Sequence, residues 1–208
     1  MKNPNLLRVS VNNADAVVQA MLGSVAHIKD GAARVCADAI NTTLRGVRRE
    51  AIRIAQTTYT AKAKDLTRKT LLENAKVSHL LGRMNITDHR GMNLINFQAS
   101  PKRPGPKRPK EGASVKVLRG GSRKNPRSQK QKAFVMKGLN DNVILVVRHR
   151  PGKGGIESLY GPHPIRALAR KGNQDLLEEL TRAVLPGNLS DAVDKVLNAS
   201  LKQMARRR

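Results

Sequence analysis

The chain has 208 residues, 40 Lys and Arg against 15 Asp and Glu, and a formal net charge of +25. That length holds one domain or two small ones, and the charge, far beyond what solubility needs, points to nucleic acid or an acidic protein surface as a neighbour. Its composition excludes an internal disulfide, because Cys36 is the only cysteine, and base readout by stacking, because the aromatics are just Tyr59, Phe97, Phe134 and Tyr160.

In chain order, Leu6, Leu7, Val9 and Val11 predict a strand over 5–11, ended by Asn12-Asn13. Nothing in Met1 to Ser10 reads as a secretory signal, and no apolar run approaches the ~18 residues of a membrane span. Ala14, Val17, Val18, Met21, Leu22 and Val25 recur at helical spacing, with Asn13 placed to cap them. After Asp30-Gly31 the longest helix runs over 31–58, its apolar stripe formed by Cys36, Ile40, Leu44, Val47, Ala51 and Ile54. Cys36 reads as a packed thiol. Thr60 to Lys64 is a basic connector, and Asp65 is placed to cap a short helix over 66–75. The period then changes to two, which predicts a strand over 76–87 and a turn at Asp88-His89-Arg90-Gly91. Met92, Leu94, Ile95 and Phe97 form an apolar patch.

Next comes a proline-punctuated tract in which Pro-Lys-Arg-Pro is written twice, at 101–104 and 106–109, with Gly105 between as a bend. From 101 to 137 there are 13 Lys or Arg against one acid, Glu111. The prolines favour an extended path, and such a segment faces water, a polyanion or an acidic partner. The contact residues expected there are Lys102, Arg103, Lys107, Arg108, Lys110, Arg119, Arg123, Lys124 and Arg127. Strands are predicted at Ala113–Arg119, Lys132–Lys137 and Asn142–His149, with Leu139-Asn140-Asp141-Asn142 as a hairpin turn. Val143 to Val147 is apolar throughout, so that strand should be central or covered on both faces. A loop at 151–155, an extended 156–159, a helix from Asn173 stopped by Pro186-Gly187, and a last helix capped by Ser190 complete the chain.

The expected fold class is α+β: a mostly antiparallel sheet with long N-terminal helices and two C-terminal helices packed on it. The expected organisation is a single domain, 1–208, with a basic insertion at about 98–132. No catalytic, metal or cofactor site is expected. His27, His79, His89, His149 and His163 form no i, i+4 pair. Gly152-Lys153-Gly154-Gly155 and Gly120-Gly121-Ser122 lack P-loop spacing and read as hairpin tips. Between 101 and 150 the acids are Glu111 and Asp141 alone, too few for paired-carboxylate chemistry.

Three segments together resemble the minor tail protein Z family of tailed bacteriophages, within the broader tail-completion or neck proteins. They are the helix block from Ala39-Ile40-Asn41-Thr42-Thr43 to Ala61-Lys62-Ala63-Lys64-Asp65-Leu66, the basic glycine-containing middle, and the loop Leu159-Tyr160-Gly161-Pro162-His163-Pro164. The resemblance implies a virion structural protein, made in the bacterial host cytoplasm and placed at the head-proximal end of the tail. It implies a homo-oligomeric ring, commonly a hexamer, that meets tail-tube and neck or connector proteins around genomic DNA, with no membrane partner. Tyr160, Gly161, Pro162, His163 and Pro164 are the family loop, expected to fix the chain's re-entry from strand to helix. The alternative is a basic nucleic-acid-binding protein of ribosomal or nucleoid type that touches phosphates without reading bases.

Overall fold

The computed structural model describes residues 5–10, 16–86, 91–128, 131–148, 155–169 and 171–206. The first elements are β1 (Asn5–Val9), α1 (Ala16–Gly23), α2 (Gly31–Thr58), α3 (Ala63–Arg68), β2 (Thr70–Glu73) and β3 (Gly82–Ile86). Short strands follow: β4 (Gln98–Ser100), β5 (Ser114–Lys116), β6 (Arg127–Ser128), β7 (Gln131–Lys132), β8 (Phe134–Lys137), β9 (Val143–Arg148) and β10 (Ile156–Ser158). The chain closes with α4 (Lys171–Arg206). Every pairing between these strands is antiparallel, so the fold is α+β as expected.

Where the sequence reads as one domain with an insertion, the backbone gathers into two compact units. Unit 1 comprises Met1–Ala51, Thr70–Thr87 and Leu168–Arg208, and unit 2 comprises Ile52–Lys69 and Asp88–Ala167. The basic stretch is not an appendage, because β4, β5 and β6 lie within it and Ala99, Ala113 and Val115 are buried.

In unit 1 the three-stranded sheet has the order β1-β3-β2. Leu7, Val9 and Met84 are buried, and Gly82 of β3 lies directly over Ile40 and Leu44 of α2. The helical core joins Leu22, Val25, Val35, Cys36 and Ala39 to Leu189, Ala192 and Val193 of α4. Burying each of the larger side chains contributes about 1.5–3 kcal/mol. Burial also pushes the Cys36 thiol above its ordinary pKa, which fits a packed rather than a reactive cysteine. Asn41 ties α2 to the chain leaving β2: its Nδ2 donates to the Ala75 carbonyl at 3.0 Å and its Oδ1 accepts from the Ala75 N–H at 2.8 Å.

In unit 2 the main sheet has the order β10-β9-β8, and Leu145, Val146 and Val147 are all fully buried. The apolar strand is therefore central, as its composition predicts. The turn between β8 and β9 is also as predicted, with Asn140 and Asp141 at φ 64° and 57°, a conformation that Asn and Asp adopt more readily than most residues. Small ladders β4-β5 and β6-β7 complete the unit.

Several boundaries differ from the sequence reading. The helix expected over 66–75 is α3, which starts earlier at Ala63, and Thr70–Glu73 is a strand instead. Pairing of Thr70, Leu71, Leu72 and Glu73 with Ile86, Asn85, Met84 and Arg83 outweighs local helix preference. Asp65 sits in the first turn of α3 rather than at its cap, which is Lys62. The strand expected over 76–87 shortens to β3, because Lys76 and His79 exchange both backbone hydrogen bonds and fold 76–79 into a turn. The strand expected at Ala113–Arg119 is only Ser114–Lys116, and Ala133 separates β7 from β8. At the C-terminus the two expected helices are one, with Pro186 inside α4. Proline removes one N–H and crowds the preceding turn, at a cost of about 3 kcal/mol. Leu177, Leu189, Ala192 and Val193 are buried on either side of it, and Asn188 Nδ2 donates to buried Thr43 Oγ1 at 2.8 Å, so packing holds the helix through the break. The Asn13 cap, residues 88–90 of the predicted turn and most of the 151–155 loop lie outside the described residues.

Candidate functional site

The basic tract is exposed, but it is folded rather than free. Its prolines fix φ, which lowers the entropy lost when 101–109 is immobilised. Arg108 lies over the Phe134 ring of β8, 3.9 Å from its centroid, a contact worth about 0.5–1 kcal/mol at an exposed site. Lys132 Nζ donates to the Lys110 carbonyl at 2.6 Å and stands 3.6 Å from Glu111 Oε1. Asn125 Nδ2 donates to the Glu111 carbonyl at 3.1 Å and so joins the tract to the neighbouring loop. Gly112 then turns the chain at φ +78°, where an added Cβ would lie 2.8 Å from Lys132 Cβ and 3.0 Å from the Ala133 carbonyl oxygen. Only glycine suits that combination of positive φ and close approach. Beyond it, the Ala113 N–H donates to the Ala133 carbonyl at 2.7 Å.

Between the tract and β8 lies a groove of ≈ 380 Å³, walled by Pro101, Pro104 and Pro109 on one side and Phe134 to Lys137 on the other. Lys102, Arg103, Lys107 and Lys110 are all exposed. The one acid within the tract region, Glu111, already faces Lys132, so the local field stays positive. Phe134 is buried, with Arg108 at 3.9 Å and Arg148 at 5.7 Å from its ring centroid, so it offers no exposed platform for a base.

The second cluster of predicted contacts behaves differently. Arg119 Nε donates to the Gln56 carbonyl, and its backbone N–H donates to the Thr58 carbonyl at 2.9 Å. Arg123 Nη1 donates to the Gln98 carbonyl at 3.1 Å and stands 3.4 Å from Ser114 Oγ. These two guanidinium groups, expected to face a partner, also hold loops of unit 2 together. Lys124 exchanges backbone hydrogen bonds with Val115 at 2.7 and 2.8 Å and keeps its side chain exposed. The backbone of Arg127 forms β6, and its side chain lies outside the described residues.

The predicted loop motif surrounds a backbone crossing. The Gly161 N–H donates to the Met92 carbonyl at 2.8 Å, and the Leu94 N–H donates to the Leu159 carbonyl at 2.9 Å. An added Cβ at Gly161 would stand 2.7 Å from Leu94 Cδ2 and 3.2 Å from the Phe97 ring. His163, Pro164 and Ile165 are buried, and Pro164 opens a 3-10 run to Ala169. Tyr160, at 53% exposure, and Pro162 are the motif's exposed side chains. The segment runs from the end of β10 into the short 3-10 helix that starts at Pro164. Pro162 also borders an apolar groove of ≈ 710 Å³ whose other walls include Tyr59, Leu94, Val115, Leu118 and Lys124.

Four positions not among the expected contact residues organise this region: Asn93, Asn125, Lys132 and Phe134. Asn93 Oδ1 accepts from the Leu145 N–H at 3.0 Å and from the Ile95 N–H at 3.1 Å, while its Nδ2 donates to the Leu145 carbonyl at 3.2 Å. One side-chain amide thus extends the ladder of β9 past the end of β10 and caps the 3-10 turn at Leu94–Asn96. Among the described residues no three His, Cys, Asp or Glu side chains gather as a metal site, and no helix is long and apolar enough to cross a membrane. Compared with known proteins, the chain matches no family model, no curated protein and no solved structure.

Proposed function

We propose that this chain is a non-catalytic structural protein of a tailed-bacteriophage particle, of the tail-completion or neck type. It is made in the host cytoplasm, assembles as a ring, commonly a hexamer, and joins tail tube to connector around the DNA channel. The observation that carries the basic-wall part of this reading is the platform under the tract: Lys102, Arg103, Lys107 and Lys110 are exposed on a segment stapled by Arg108, Lys132, Asn125 and Gly112. A fixed row of cations attracts a polyanion with little ordering cost, and attraction through charge alone reads no sequence. The placement in a virion rests on the resemblance at 39–66 and 159–164.

Two measurements on nucleic-acid-free protein test it: particle mass, and duplex DNA affinity across salt. A ring-sized particle, or co-assembly with tail tubes, supports the virion reading. A monomer that binds duplex DNA with a steep salt slope overturns it in favour of the ribosomal or nucleoid type. Replacing Lys102, Arg103, Lys107 and Lys110 together by Gln should flatten the slope by about 0.9 for each phosphate no longer neutralised. An unchanged slope would remove the tract from the interface.

A further inference from the structure

We infer that the groove between α2 and α4 in unit 1 is a contact surface for a second copy of this chain, related by a two-fold axis. The groove measures ≈ 460 Å³ and is lined by Arg45, Gly46, Val47 and Arg49 of α2 and by Leu180 and Val184 of α4. Val47 is buried at its floor, and Leu180 and Val184 are half-buried. On α4 the stripe continues one turn back to Leu176, which is 46% exposed. At about 100° per residue, buried Leu177 and Thr181 lie on one side of the Leu176–Leu180–Val184 stripe, and exposed Asp175 and Glu179 lie on the other. The patch therefore has three lanes: Arg45 and Arg49 on α2, an apolar middle, and two carboxylates on the far flank of α4.

A patch with cations along one border and carboxylates along the opposite border is complementary to itself. A two-fold axis lays the basic border of each copy on the acidic border of the other and closes the apolar lanes together. The sign balance also selects this place. Unit 1 carries 17 Lys or Arg and 10 Asp or Glu, while unit 2 carries 23 and 5, so like-charged copies repel far less at unit 1. The ≈ 710 Å³ apolar groove of unit 2 is bordered by Lys124 and lies in that strongly positive unit, so it suits a second copy poorly.

Gly46 adds an independent sign. Glycine within a helix is unfavourable, and an added Cβ there would meet nothing within 4 Å. The fold itself makes no use of the missing side chain, whereas a facing helix would. Glu50, also at the groove, is already engaged within its own chain. A two-fold contact is distinct from the head-to-tail contact of a ring, which joins two different patches, so each can fail without the other.

The test is sedimentation equilibrium of the full chain, free of nucleic acid, at about 0.15 M salt, where net repulsion is screened beyond about 8 Å. Gly46→Gln fills the groove while favouring the helix, so it should raise the dimer dissociation constant at least about tenfold, or 1.4 kcal/mol, without lowering thermal stability. R45E/R49E and D175K/E179K should each weaken the dimer, and mixing the two variants should restore one set of opposed borders and recover association as a heterodimer. A protein that stays monomeric up to about 100 μM, where only contacts of about millimolar strength or weaker escape notice, overturns the inference. So does any oligomer, ring-sized ones included, whose mass is indifferent to Gly46→Gln and to the charge reversals. That last result would leave the proposed function standing.

Discussion

Single polar side chains do much of the joining in both units. Asn41 and Asn93 each place an amide where a backbone unit would otherwise sit, donating and accepting at once to Ala75 and to Leu145. Removing Asn41 strands the N–H and C=O of Ala75 together, whereas removing Asn93 strands the Leu145 N–H and leaves the Leu145 carbonyl its bond from the Leu159 N–H; each stranded group costs about 1–3 kcal/mol. Asn93→Ala should therefore lower the stability of the full chain by about 2–4 kcal/mol, since a third bond to Ile95 disappears as well. Urea denaturation measures this, and a change below about 0.5 kcal/mol would show that water replaces the amide without loss. These roles are not legible in the sequence. Asparagine in a loop or a helix reads as a cap or a turn residue, and its partners here stand 34 and 52 positions away. Arg119 and Arg123 show the converse: their charge is legible, but whether a guanidinium faces a partner or the protein's own carbonyls depends on which loop folds beside it.

Among the elements, helices and apolar strands with a long, uninterrupted pattern appear where the pattern places them. α2 runs over 31–58 as predicted, and β9 is central because nothing polar interrupts Val143 to Val147. Short or interrupted segments do not follow local preference. Thr70–Glu73 pairs as a strand, and α4 continues through Pro186, in each case because neighbouring surfaces supply more than the local signal costs. Pro186 is exposed, and the buried residues around it, not the ring, hold the helix together. Pro186→Ala should consequently restore a backbone bond and raise stability by about 1–3 kcal/mol, read as a higher thermal midpoint. A lower midpoint would mean that the packing of Leu185 and Leu189 depends on the proline ring.

At the level of the whole chain, the two units divide the charge unequally. Unit 2 holds 23 Lys or Arg and 5 Asp or Glu, a net of +18, and unit 1 holds 17 and 10, a net of +7. Unit 2 therefore folds against its own repulsion, and its ion pairs, such as Lys132–Glu111 and Lys137–Asp141, are exposed and individually weak. Raising salt from about 0.05 to 0.5 M shortens the Debye length and should raise the thermal midpoint of the full chain by several degrees. A midpoint that falls with salt would show that attractive pairs outweigh the net repulsion.

The amino-acid order alone determined the α+β class, the long second helix, the central strand, the hairpin at Asn140-Asp141 and the position of the positive charge. Each of these depends on composition or on a period that repeats within a few residues, and such signals survive without knowledge of distant neighbours. Tertiary structure alone decided that the proline tract lies stapled over β8, that two predicted contact arginines also brace their own unit, that the C-terminal helix is continuous, and that the chain forms two units of unequal positive charge. Those outcomes depend on residues tens of positions apart meeting face to face, where packing and hydrogen bonding outweigh what any short segment prefers.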